Sequence, residues 1–252
     1  MLQTSVFGTA VYGIWLRDIK KYFRVRTQLL GALIRPLLWL VIMGGGLRPI
    51  VSNVQGVDYL HFIFAGIVSM TIIFSAMQSA VSVVWDREFG YLKEILVAPI
   101  PRVAIVIGKS LSAATTATLQ GVITLVFLPV VGVPVAWWTI PVLIACMFLL
   151  SLVIAALGLA IAGRMTSFEG FGAIANFLLM PMFFLSGAIY PVDTVPLWLK
   201  PLIFINPLTY GVDLMREVLV SAGHFSVWVD CVVLFGIAAV LTGIAIPMYE
   251  RE

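Results

Sequence analysis

Four stretches without a single charged side chain, at 59–85, 110–163, 170–192 and 231–249, constrain this chain more than any other feature. A helix needs roughly 20 apolar residues to cross a hydrocarbon layer about 30 Å thick, and these runs meet or approach that length. A soluble core could not hide so much apolar surface: 62% of the 252 residues are hydrophobic and only 11% are charged, against about 25% charged in an average soluble domain. The expected fold class is therefore all-α, a polytopic membrane protein forming one domain over 1–252.

The longest run exceeds one crossing, and Pro129, Gly132, Val133 and Pro134 near its middle form a turn that divides it. A further span at 27–47 contains Arg35 followed by Pro36. An arginine near a helix centre costs about 2.5–3.5 kcal/mol, and the nine Leu, Ile and Val residues from Leu29 to Ile42 return about 0.3–0.6 kcal/mol each, so insertion stays slightly favourable. Arg35 is thereby marked as a pathway residue or one that snorkels to a headgroup, and Pro36 is tolerated where neighbours re-satisfy the backbone. Six spans are expected, at 27–47, 59–85, 108–131, 136–163, 170–190 and 227–248.

Six crossings put both termini on one face. If that face is cytoplasmic it holds Arg17, Lys20, Lys21, Arg24, Arg26, Arg87, Lys93, Arg102, Lys109, Arg164 and Arg251, against Arg48, Lys200 and Arg216 outside. This bias supports an inside orientation and absorbs the net charge of +3 without a nucleic-acid partner. Cys146 and Cys231 lie inside apolar runs and suggest neither a disulfide framework nor a metal site. Residues 1–26 lack the order of a signal peptide, because basic residues follow the hydrophobic stretch instead of preceding it.

Within 1–26, Tyr12, Trp15, Leu16, Ile19 and Phe23 fall on one helical face, and Arg17, Lys20, Lys21 and Arg24 on the other. Such a helix is suited to the cytoplasmic interface, either as a moving part or as a plain topology anchor. The segment 86–102 opens with Asp86, Arg87 and Glu88, which favour a helix N-terminus leaving the membrane. Phe89, Leu92 and Leu96 follow as a short apolar stripe, and Pro99 and Pro101 end it. About 13 residues would make a helix of roughly 20 Å, fit to lie on the membrane face and enter a groove in a partner. A solvated connector is the alternative. The segment 191–216, with Pro191, Pro196, Pro201 and Pro207 among Trp198, Phe204 and Tyr210, reads as short re-entrant helices at the outer face.

At these last two segments the chain resembles the permeases of the type-2 ABC exporter family. The family's acidic-Arg-Glu triplet with Gly, Leu, Glu and Pro behind it corresponds to Asp86, Arg87, Glu88, Gly90, Leu92, Glu94 and Pro99, with Phe89 between and Lys109 opening the next span. Its C-terminal pattern corresponds to Ser186, Gly187, Pro191, Asn206, Pro207, Tyr210 and Arg216. Asp86 stands where glutamate is commoner, a change that preserves charge. The resemblance implies a six-span permease dimer in a bacterial inner membrane, carrying drugs, lipids, glycolipids or polysaccharides outward. Two separate ATPase subunits would bind ATP and Mg and dock on the 86–102 segment, so this chain is expected to be no enzyme and to hold no cofactor of its own.

Gly108-Lys109-Ser110 imitates the end of a phosphate-binding loop, but Val103 occupies the position where the first glycine is required. His61 and His224 are far apart, no HExxH or GxSxG pattern is present, and Arg35 reads as the one charge well inside a span. An intramembrane enzyme is therefore disfavoured. A secondary transporter or channel not driven by ATP is the remaining rival, though no internal repeat supports it.

Overall fold

A computed structural model describes residues 2–51, 53–90, 101–165 and 167–250. The order is α1 (Leu2–Arg24), α2 (Arg26–Gly46), a two-stranded antiparallel hairpin of β1 (Asn53–Val54) and β2 (Val57–Asp58), α3 (Tyr59–Glu88) and α4 (Arg102–Thr124). A 3-10 turn at Leu125–Phe127 and a last helical turn at Leu128–Val131 prolong α4. Then come α5 (Thr139–Ala162), α6 (Phe168–Phe184), α7 (Lys200–Ile205), α8 (Pro207–Val220) and α9 (Val227–Glu250).

Helix ends follow local chemistry. The Asp58 side chain accepts from the Leu60 N–H and caps α3, while Arg48 pairs with the same carboxylate at 2.9 Å. These donors hold the Asp58 carboxyl below its ordinary pKa, although its burial works the other way. Gly132, at φ +78°, stops the long rod that begins at Arg102. This is the turn expected between Pro129 and Pro134.

Among the described residues, four helices are long and apolar enough to cross a membrane: Tyr59–Glu88, Arg102–Val131, Thr139–Ala162 and Val227–Tyr249. The apolar stretches Leu30–Gly46 and Phe168–Phe184 are shorter. Pro36 does not break α2. The expected 170–190 span needs a boundary correction: α6 ends at Phe184, and residues 185–190 form turns around Gly187 at φ +71°. There the Ser186 hydroxyl donates to the Phe183 carbonyl at 2.6 Å, a local bond that competes with another helical turn.

Helices α3, α4 and α5 form the centre, α1 lies along α4, α9 along α5, and α8 wedges among α3, α5 and α9. Phe62, Phe64, Ile72 and Ile73 of α3 are fully buried, whereas α9 turns Trp228, Val232, Phe235 and Val240 outward. Close approach rests on small residues: a Cβ built on Gly158 of α5 would stand 2.6 Å from Ala80 Cβ of α3. Where lipid supplies no hydrophobic force between helices, such backbone proximity supplies the packing energy.

Candidate functional site

Two polar clusters occupy opposite ends of α3. At its C-terminal end, Asp86 Oδ2 lies 2.6 Å from Lys109 Nζ on α4 and 3.0 Å from Arg17 Nη2 on α1. Lys109 reaches Asp18 Oδ2 at 3.0 Å and donates to Ser82 Oγ at 3.3 Å. Arg17 also pairs with Asp18 at 2.9 Å, and Trp15 Nε1 donates to Thr115 Oγ1 at 3.0 Å. Two carboxylates thus face two cations, and Lys109 is only 2% exposed. Burial alone would pull the Arg17 guanidinium down, but Asp18 and Asp86 outweigh it and hold its pKa above the ordinary value.

This geometry corrects several sequence expectations. Lys109, counted among the cytoplasmic-face basic residues and expected to open the 108–131 span, is within helix α4 and buried in this network. Arg17 stays exposed like Lys20, Lys21 and Arg24, but it differs from them in pairing with Asp18 and Asp86. The side of α1 that docks carries Ile14, Trp15, Asp18 and Tyr22, while Tyr12 and Phe23 of the expected apolar face stay exposed. Arg35 is not the sole charge within a span either, since Lys109 and the fully buried Asp230 also lie inside apolar helices.

The Asp86-Arg87-Glu88 triplet forms the last turn of α3; it does not open a new helix. Arg87 donates to the carbonyls of Ala162 at 3.0 Å, Gly163 at 3.3 Å and Met165, so its fork caps the C-terminus of α5. Glu88 and Phe89 are exposed beside these anchored neighbours. Phe89 stacks on Trp85 at 5.2 Å, and Trp85 meets Phe168 of α6 edge-on at 5.3 Å. Gly90 leaves the helix at φ +78°, a conformation strained for any residue with a side chain. Leu92, Glu94 and Pro99 lie outside the described residues.

At the other end, Ser186, Gly187, Asn206 and Arg216 of the C-terminal signature meet at the stop of α6. Asn206 caps α8 by accepting from the Leu208 N–H at 3.1 Å, and its amide donates to the Met182 carbonyl at 2.6 Å. Arg216 donates to the Gly187 carbonyl at 2.7 Å and lies 3.8 Å above the centre of the Phe62 ring. Its burial, opposed by Asp213, pulls its pKa down to about 10, which leaves it charged at neutral pH. Asp213 accepts from the N–H groups of His224 and Phe225 at 2.7 and 2.8 Å, yet burial raises its carboxyl above the usual value. Pro207 opens α8, Pro191 precedes a 3-10 turn whose Thr194 hydroxyl it accepts at 2.9 Å, and Tyr210 donates to the Phe204 carbonyl at 2.7 Å. Sequence reasoning missed Asp18, Asp213 and Asp230. Only Asp18 carried a signal, as the one acid in a basic N-terminal helix.

Long apolar helices braced by buried ion pairs define an integral membrane protein of the polytopic helical class. The family described as ABC-2 type transporter matches residues 9–220. Nodulation protein J of Rhizobium leguminosarum bv. trifolii is 28% identical over 214 residues, covering 84% of this chain and 80% of its own. The inner membrane transport permease YadH of Escherichia coli (strain K12) is 26% identical over 219 residues, 84% of this chain and 83% of its own. The ycf38 protein of Cyanophora paradoxa is 28% identical over 193 residues, 75% of this chain, which spans 66% of that relative. The chain belongs to the ABC-2 type transporter family and is a membrane permease subunit; membership implies an ABC ATPase partner in general.

Proposed function

We propose that this permease is driven by ATP hydrolysed on a separate subunit and exports an amphipathic cargo. The observation that carries the reading is the division of labour at the end of α3. Asp86 and Arg87 fasten that end to α1, α4 and the cap of α5, while Glu88 and Phe89 stand exposed. A pull on Glu88 and Phe89 would reach three helices through the ion pairs and capping bonds of their neighbours Asp86 and Arg87. In this reading two ATPase subunits, holding ATP and Mg, dock on that segment of a permease dimer.

The same reading takes α2 and α6 as two further crossings, gives both termini to the cytoplasm of a bacterial inner membrane, and lets α7 and α8 dip into the outer leaflet. At about 1.5 Å per residue, α2 with its 21 residues is long enough to span, and α6 with 17 reaches most of the way. Lys20, Lys21 and Arg24 support an interfacial α1 over anionic lipid. Impermeant cysteine labelling after replacement of Cys146 and Cys231 checks the orientation: position 134 should label in intact cells and position 93 should not.

The coupling test is co-purification with the ATPase followed by cargo-stimulated hydrolysis. Leu92→Asp should detach the ATPase, because losing a buried interface anchor costs about 2 kcal/mol or roughly thirtyfold in affinity. Glu88→Ala should leave it bound but poorly coupled. Normal ATPase recovery and normal transport in both variants would make this segment only a connector, whereas transport driven by an ion gradient without nucleotide would return the chain to the secondary-transporter reading.

A further inference from the structure

A polar lane runs inward from the triplet end, between α3 and α4. On α3, Thr71, Ser75, Gln78 and Ser82 recur every three or four residues and so share a face. On α4, Ser112, Thr116 and Gln120 do the same. Two cavities of about 390 and 290 Å³ open along these faces and share Tyr22, Gln78 and Ser79 as walls. Such volumes fall at the lower end of small-ligand sites, about 300–1,000 Å³.

The lane is polar beyond what packing needs. Thr71 and Thr116 donate their hydroxyl protons to their own helix carbonyls at 3.0 Å; the Thr71 oxygen keeps its lone pairs as acceptors, while Thr116 already accepts from Ser79 Oγ at 3.0 Å. Ser75 is 5% exposed and its Oγ has no hydrogen-bond partner among the described residues, although it lines the deeper cavity. An unmade hydrogen bond in a buried setting costs about 1–3 kcal/mol, so a hydroxyl left open here points to something that completes it.

The deeper cavity carries one charge. Arg35 of α2 lines it with its guanidinium 5.0 Å from the Phe74 ring centre, and no carboxylate among the described residues pairs with it. Asp18 at the outer cavity is already held by Lys109 and Arg17. Leu38 and Ile42 follow Arg35 at i+3 and i+7 on the same side of α2, and both are exposed. A cation with a planar fork, hydroxyls around it and an apolar stripe beginning one turn away match a head and a tail together.

We propose that this lane binds a phosphate-bearing amphiphile, with the phosphate on Arg35 and the open Ser75 hydroxyl of the same cavity, further head-group hydroxyls along α3 and α4, and the hydrocarbon tail along Leu38 and Ile42. The proposal rests on the exporter reading for its biological sense but not for its test. The test is displacement of a tail-labelled fluorescent dodecyl phosphate from the purified full-length permease in phosphatidylcholine nanodiscs, with no ATPase and no nucleotide present. Dodecyl phosphate should compete, dodecyl glucoside with the same tail should be weaker by about tenfold, and inorganic phosphate should not compete at equal concentration. Arg35→Gln should weaken dodecyl phosphate about tenfold. Ser75→Val, which removes an unpartnered hydroxyl and orphans nothing, should weaken it about threefold in a protein that still folds. Equal affinity for phosphate and glucoside amphiphiles, full competition by inorganic phosphate, or wild-type affinity in both variants would overturn the proposal. A permease that binds the amphiphile through Arg35 yet recruits no ATPase would sink the exporter reading alone.

Discussion

The two ends of α3 solve the same problem, charge inside an apolar bundle, by different means. At the triplet end, Asp18, Asp86, Lys109 and Arg17 neutralise one another, each contributed by a side chain on one of three helices. At the hairpin end, Arg216 and Asn206 spend their donors on backbone carbonyls at the stop of α6. A carbonyl cannot move without its helix, so the second arrangement locks a shape. The first arrangement holds only while three helices keep their places, which suits a joint that must transmit movement.

The largest effect that separates the two should follow Lys109→Met. It leaves two nearly buried carboxylates with one half-exposed cation, and breaking a buried pair this way costs about 3–5 kcal/mol. Thermal unfolding in detergent would register the loss, and adding Asp86→Asn should recover part of it, a coupling that a double-mutant cycle isolates. Arg216→Met should cost less, about 2–3 kcal/mol, because it orphans one carbonyl and one ring contact but strands no opposite charge in direct ion pairing. No single second change should rescue it. Asn206→Ala should cost about 1 kcal/mol or somewhat more through the lost cap of α8. Arg17→Gln should cost the least, about 1 kcal/mol or less, since its side chain is 44% exposed and water screens the pair.

Much of this arrangement was legible in the sequence, and the residues explain where legibility ended. The turn at 129–134 was readable because proline and glycine punctuate locally. Asn206, Pro207, Tyr210 and Arg216 lie on one short helix and its cap, close enough in the chain for a pattern to be seen. Lys109 was placed at the opening of its span, but its burial was missed because a charge beside an apolar run looks like a residue at the membrane face. Its partners stand 23 residues away at Asp86 and on α1 at Asp18, and pairing across helices leaves no periodic trace. Asp86 was read as a helix beginning for the same reason: the charges marked a boundary correctly but gave no direction to it. The early stop of α6 depends on Gly187 and Ser186, two small residues that an apolar count passes over.

The division between a fastened half and an exposed half of the triplet is tested most directly by recording ATPase recovery and unfolding midpoint on the same purified variants, Asp86→Ala and Arg87→Ala against Glu88→Ala and Phe89→Ala. The expected result is a split. The first pair should lower the midpoint, and the second should keep it while losing ATPase binding or coupled hydrolysis. If all four variants lowered the midpoint together and left the ATPase bound and coupled in whatever protein stayed folded, the end of α3 would be a structural anchor throughout and no coupling surface.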